Sequence, residues 1–192
     1  MKQTDTKTQI LDVAQDLIQR LGVNGMSYKD ISEAVGIRKA SVHTHFPKKD
    51  DLLVALLDRY NDRFLRIVDG ILASDDSLEI KLRRYCGLYE ATLSSGDQDK
   101  ACLCGMVGAE LASINHPSLE QVCRFYRENE ARLTTILKDG LATGDFHFSG
   151  DVAVLAGLMF SSLEGGMLVA RAEGGAQKFH HMVEQLIALV KN

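Results

Sequence analysis

Ser27 to Leu52 reads SYKDISEAVGIRKASVHTHFPKKDDL, and this stretch decides the fold. It predicts two short helices joined at Gly36, a basic tip, and the first turn of a long helix. Ser27 is placed to cap the first helix, with Asp30 three residues on completing a capping box in which Asp replaces the usual Glu. Ile31, Ala34 and Val35 give that helix an inner face. Gly36 supplies the left-handed backbone that a sharp helix–helix turn needs. Lys39–Phe46 makes the second helix, with Val42 and Phe46 facing inward four residues apart. Pro47 ends it, and Asp50 and Asp51 suit the start of the next helix, where the helix dipole favours acids.

The same stretch is unbalanced in charge. No acidic residue falls between Glu33 and Asp50, a window that holds Arg38, Lys39, His43, His45, Lys48 and Lys49. A compact helix pair with an acid-free, positive face suits a phosphate backbone. Residues 1–49 carry eight Lys/Arg and five Asp/Glu, net +3, and residues 50–192 carry fourteen and twenty-one, net −7. A basic head on an acidic body points to nucleic-acid contact at one end only.

Working outward, the whole chain reads helical, with no run of two-residue alternation rich in β-branched residues. A first helix spans about Thr6–Leu21, with Ile10, Ala14, Leu17, Ile18 and Leu21 at helical spacing and Gly22 as its stop. The long helix runs about Lys49–Leu72. Further helices are expected near Leu78–Leu93, Cys102–Ile114, Ser118–Ala142, Asp151–Glu173 and Gln177–Lys191, about nine in all. Breaks fall at Ser94-Ser95-Gly96, Asn115-His116-Pro117 and Gly174-Gly175. The fold class is therefore all-α.

With 192 residues and 45% hydrophobic content, the chain can bury a core without disulfides. The polar start MKQTDTKTQ shows no signal peptide, and no run approaches eighteen apolar residues. No membrane span is expected, and a cytoplasmic location would keep the four cysteines reduced.

A helix pair with a glycine turn also occurs as a plain structural hairpin, so its context matters. ILDVAQDLIQRLG, five residues, then YKDISEAVGIRKASVHTHFPKKDDLL closely resembles the N-terminal domain of TetR/AcrR-family transcriptional regulators. The resemblance covers roughly Thr8–Leu57, including Gly22, Gly36, His45-Phe46 and Lys49-Asp50-Asp51-Leu52. The rest of the chain resembles the family only in its helical plan and length. The resemblance implies a helix-turn-helix DNA-binding domain at residues 1–48 and a helical-bundle domain for ligand binding and dimerisation at residues 49–192. It also implies a homodimer on a double-stranded, pseudo-palindromic DNA operator. Such proteins usually act as repressors released by a small-molecule effector. One departure stands out: the family commonly has a tyrosine, typically touching a phosphate, where this chain has His43, within Val42-His43-Thr44-His45-Phe46.

By position, Lys49 should meet a phosphate, helped by the amino end of its helix. Lys48 joins it, and for each cation of the head, Lys39, Lys48 and Lys49 among them, a solvated surface charge is the competing reading. Ser27 and Tyr28, opening the second helix, can also meet phosphates. Arg38, Lys39, Ser41 and Thr44 are candidates for contacts at or near base edges. His43 can replace the tyrosine as a hydrogen-bonding group, and it gains charge at mildly acidic pH.

In the body, Phe64, Tyr85, Tyr89, Cys104, Met106, Val107, Glu110, Phe125, Met159 and Phe160 are candidate pocket residues. Aromatics, methionines and one carboxylate suit an apolar or cationic small molecule, and core packing is the competing reading. Glu110 stands out because a carboxylate on the most apolar helix needs a partner or a ligand. Cys102 and Cys104 are candidates for redox or electrophile sensing, Cys102 lying at a helix amino end that would lower its pKa. Their two-residue offset is not a zinc spacing, and neither a metal nor a cofactor is expected. Gly157, Ser161, Ser162, Gly165 and Gly166 mark a helix that another helix approaches closely. The resemblance assigns the dimer interface to the last two helices, and the stripe Phe179, Met182, Val183, Leu186, Ile187, Leu189 and Val190 suits that role, with packing inside the chain as the competing reading.

A cysteine-based sensor is the alternative on the same fold. An all-α enzyme is disfavoured because no HExxH, phosphate loop or Ser/His/Asp grouping is present. A protein-binding scaffold would use the head as a hairpin, without salt-dependent DNA binding.

Overall fold

The computed structural model describes residues 5–95, 99–110, 116–173 and 175–191, which form nine α-helices and no strand. The helices are α1 (Thr6–Leu21), α2 (Tyr28–Val35), α3 (Lys39–His45), α4 (Lys49–Leu72), α5 (Leu78–Leu93), α6 (Leu103–Glu110), α7 (Leu119–Thr143), α8 (Val152–Glu173) and α9 (Gly175–Lys191). The expected continuation of α6 through Ile114, and the breaks at Gly96, Asn115 and Gly174, lie outside the described residues.

Local chemistry accounts for the start of the chain. Asp5 caps α1 by accepting the Thr8 amide at 2.8 Å, and Ile10, Leu11, Ala14 and Ile18 form its buried face. The capping box on α2 is complete: Asp30 N donates to Ser27 Oγ at 3.3 Å, and Ser27 N donates to Asp30 Oδ2 at 2.9 Å. Gly36 ends α2 with φ 76° and ψ 34°, the left-handed geometry that only glycine adopts at little cost. The inner face of α2 differs from the expected one. Tyr28, Ile31 and Ser32 are buried, whereas Ala34 is exposed. The true stripe starts at the tyrosine and runs i, i+3, i+4.

The chain divides into two compact units. The first comprises Met1–Asn61 and Leu103–Cys123. In it α1 packs on α2 and α6, and α2 packs on α3. Val42, Phe46, Leu52, Leu53, Leu56 and Leu57 supply its core. Arg59 pairs with Asp12 at 2.8 Å, and buried Asn61 donates to Gln121 O at 2.8 Å. The first half of α4 and all of α6 belong to this unit together with α1, α2 and α3.

The second unit comprises Asp62–Cys102 and Arg124–Asn192. Here α5, α8 and α9 pack on one another. Arg132 holds Asp69 through two parallel bonds of 2.7 and 3.1 Å. The α9 stripe turns inward within the chain: Phe179, Val183, Leu186, Ile187 and Val190 are all buried, and Leu189, at 64% exposed, faces out. The expectation that this stripe lies open for a partner is corrected accordingly.

The outward apolar face belongs mainly to α8. Val154, Leu158, Ser161, Gly165 and Leu168 are exposed at spacings of four, three, four and three, a single uncharged helical stripe. By length and composition α8 could cross a membrane, and 28% of its most apolar window is buried inside the structure. Its packing on α5 and α9 is that of a core helix with one face left uncovered.

Candidate nucleic-acid interface and effector core

The first unit presents α3 outward. Arg38, Lys39, His43, Thr44 and Lys48 are exposed, and Ser41 is half-buried. Ser27, Tyr28, Lys39, His43 and Lys49 come together with Met26 and Pro47 around a surface depression of about 290 Å³. Three of the nine residues expected at the interface have side chains tied into the fold, and Thr44 also donates its hydroxyl to Ala40 O at 3.0 Å.

Tyr28 is one of those three. It is 8% exposed, and its hydroxyl lies 2.9 Å from Phe46 O and 2.7 Å from Lys48 O, to which it donates. Burial, with Asp51 and Asp50 adding to it, pushes its pKa up to about 12. The expected phosphate contact is thus replaced by a tie between α2 and the turn into α4. The Tyr28 ring also meets His43 edge-on, with centroids 4.7 Å apart, so Tyr28 orients the histidine beside it. Ser27 is the second, its hydroxyl donating to Asp30 Oδ2 at 2.7 Å within the cap.

Lys49 is the third. Its Nζ donates to Val23 O at 2.6 Å and Met26 O at 2.8 Å, across the loop between α1 and α2. Burial lowers its pKa and the nearby Glu110 opposes that shift. An ammonium has three donors, so one remains available for a phosphate.

Glu110 holds the same loop from the other side. Its carboxylate accepts the Val23 amide at 3.1 Å and the Asn24 amide at 2.8 Å. A side chain at Gly22, where φ is +78°, would collide with Glu110 Oε1 at 1.7 Å. The carboxylate expected in the effector pocket is instead a clamp on the head, and its partner is backbone. Cys104 also belongs to this unit, donating to Asn61 Oδ1 at 3.4 Å. Met106 and Val107 lie on the same helix, Val107 fully buried.

The remaining candidate pocket residues gather in the second unit. Phe64 meets Phe125 at 5.1 Å and Tyr89 at 5.7 Å, Tyr85 meets Tyr89 at 5.8 Å, and Phe125 meets Phe160 at 6.4 Å between centroids. Met159 is buried on the same helix as Phe160. Two polar residues that sequence reasoning missed belong here. Asn129 is fully buried, and its Oδ1 lies 3.5 Å from the Tyr85 hydroxyl. Glu164 carries the one formal charge between Asp151 and Arg171, a signal visible in the sequence. Burial pushes its pKa up to about 7, and a hydrogen bond from Cys102 opposes that shift.

The cysteines fit this core. Cys102 is 3% exposed and bonds Glu164. Burial pushes the Cys86 thiol up to about 12, which makes it inert. Cys123 is half-buried. Among the described residues, no group of His, Cys, Asp and Glu is arranged to hold a metal.

Comparison with known proteins places both parts. Residues 10–56 match the family described as bacterial regulatory proteins, tetR family, and residues 79–186 match the tetracyclin repressor-like C-terminal domain. A TetR-family transcriptional regulator from Agrobacterium tumefaciens superposes with a TM-score of 0.90, at 30% identity over 97% of both chains. A TetR transcriptional regulator from Legionella pneumophila gives 0.88 at 29% identity, covering both chains in full. The HTH-type transcriptional repressor ComR of Escherichia coli K12 is 25% identical over 88% of this chain and 80% of its own length.

Proposed function

Because this chain belongs to the TetR family and is a DNA-binding transcriptional regulator, we propose that it represses transcription and leaves its operator when a small molecule binds. The exposed, acid-free face of α3 is the observation that carries the DNA-binding part of this reading. Arg38, Lys39, Ser41 and Thr44 reach toward base edges, while Lys48, His43 and the remaining donor of Lys49 meet phosphates. Ser27 and Tyr28 support the interface by capping and bracing it. Residues 1–48 form its reading head, and the remainder serves ligand binding and dimerisation. Acting on DNA, the protein works in the cytoplasm.

The partner on DNA is a second copy of this chain. The uncharged stripe Val154, Leu158, Ser161, Gly165 and Leu168 on α8, with Leu189 on α9, supports an interface built by the last two helices. Its small central residues let a partner helix approach closely, as Ser161 and Gly165 offer little side chain. A symmetric dimer presents two α3 helices to half-sites one DNA turn apart, about 34–36 Å. A modest change in head spacing on effector binding then breaks the fit, and a few kcal/mol of differential affinity suffices.

The effector binds among Phe64, Tyr85, Tyr89, Phe125, Met159 and Phe160 in the second unit. The test is operator release: in a fluorescence anisotropy assay on the DNA upstream of its own gene, an effector lowers bound signal for wild type. The Phe125→Ala variant retains DNA binding and loses that response. Undiminished release by this variant would move the effector site elsewhere. A cysteine-based trigger at Cys102 is the alternative reading, and it works against the burial of that thiol beside Glu164, which disfavours the thiolate. In that case Cys102→Ser stays on the operator in the presence of an alkylating agent, and release equal to wild type removes the reading.

A further inference from the structure

We propose that the effector is a small organic cation, held by the Glu164 carboxylate inside the aromatic cluster of Phe64, Tyr85, Tyr89, Phe125 and Phe160. This deepens the effector reading above and rests on it. Part of Glu164 reaches the surface, yet its Oε1 is out of solvent contact and has no hydrogen-bond partner among the described residues. A buried carboxyl oxygen without a donor is costly, and one in a native fold calls for a ligand or a charge to meet it. Among the described residues no Lys, Arg or His acts on this carboxyl: burial and the Cys102 thiol do. When ionised, the carboxylate is met from within only by the Cys102 thiol, and its Oε1 by nothing.

The surrounding polar groups are also loosely satisfied. The Tyr85 hydroxyl is 3.4 Å from that of Tyr89 and 3.5 Å from Asn129 Oδ1, both at the long limit of a hydrogen bond. Both tyrosines feel the Glu164 charge. Acceptors thus outnumber donors beside a cluster of aromatic rings, and the negative face of an aromatic ring attracts cations. An anionic ligand would meet the carboxylate as a like charge, and a purely apolar one would leave Oε1 unpaired. A protonated amine on a compact apolar body answers both needs.

The probe is benzylamine, compared with benzyl alcohol and benzoate as neutral and anionic counterparts. Thermal shift is measured on the full-length wild type and on Glu164→Gln at pH 6 and pH 8. Benzylamine is expected to raise the wild-type melting temperature, with its dissociation constant about tenfold tighter at pH 8 as Glu164 gives up its proton. Glu164→Gln is expected to lose at least that factor and to show no pH trend. The wild-type pH comparison stands alone should the variant fold poorly. Absence of a benzylamine shift, an equal effect of benzoate or benzyl alcohol, or equal binding by Glu164→Gln would each overturn the cation. Operator binding by wild type without any probe is scored separately. Its loss would undo the regulator reading itself, and operator release by benzoate alone would keep an effector while excluding a cation.

Discussion

Single residues carry sharply different duties on the two sides of the head. Lys48 is an exposed cation at the turn into α4, so Lys48→Ala is expected to weaken operator binding on every sequence. It should also reduce the slope of log affinity against log salt by about one; an unchanged slope would take it off the phosphates. Glu110 and Lys49 instead grip the loop after α1 from opposite sides. Glu110→Gln keeps one acceptor oxygen, sets its NH2 against the other backbone donor and loses charge-assisted bonding, a cost of about 1.5–3 kcal/mol. Urea unfolding reads that loss, and faster hydrogen exchange at Val23 and Asn24 locates it; unaltered exchange at both amides would mean that the clamp is not formed in solution. Glu164 adds a pH dependence of known sign. Its carboxyl titrates near 7 in the fold against 4.5 ordinarily, so the folded state holds a proton that the unfolded chain has released between those values. Stability therefore falls as pH rises from about 4.5 to about 7. Melting curves of Glu164→Gln should lack that fall, leaving the variant relatively more stable at pH 8 than at pH 5; parallel pH curves would show that Glu164 is not buried as described.

At the level of elements, most of the architecture was legible. The expected starts of α1, α4 and α5 at Thr6, Lys49 and Leu78 agree with the fold, where Asp5 and Ser77 cap α1 and α5 and Asp50 and Asp51 sit in the first turn of α4, all of them local effects. The Ser27–Asp30 box and the turn at Gly36 were equally readable, since neither depends on distant residues. What failed depended on packing partners far along the chain. Glu110 meets Val23 and Asn24 almost ninety residues away, and no periodicity announces that. The α9 stripe was assigned outward, yet α5 and α8 cover it, while α8 exposes the uncharged stripe. Leu158→Glu in that stripe, 60% exposed in the single chain, should leave the fold intact and convert a dimer to monomers in sedimentation velocity. Burying each such leucine or valine contributes about 1.5–3 kcal/mol, so one charge is enough to tip the balance. An unchanged sedimentation coefficient would place the interface elsewhere.

Across the whole molecule, charge and packing divide the labour. The basic, acid-free segment lies in the unit formed by Met1–Asn61 and Leu103–Cys123, and the aromatic core with Glu164 lies in the other. The helix α6 begins directly after Cys102, which bonds Glu164, and ends at Glu110, which holds the loop of the head. Most direct for the central claim is the salt dependence of binding to the DNA upstream of the protein's own gene, followed by fluorescence anisotropy for wild type and Arg38→Ala. Wild type should bind with an affinity that falls steeply as salt rises. Arg38→Ala should lose about 1–3 kcal/mol of discrimination between that sequence and random duplex. Binding that is absent or insensitive to salt, with Arg38→Ala indistinguishable from wild type, would contradict the assignment of α3 as the element that reads DNA.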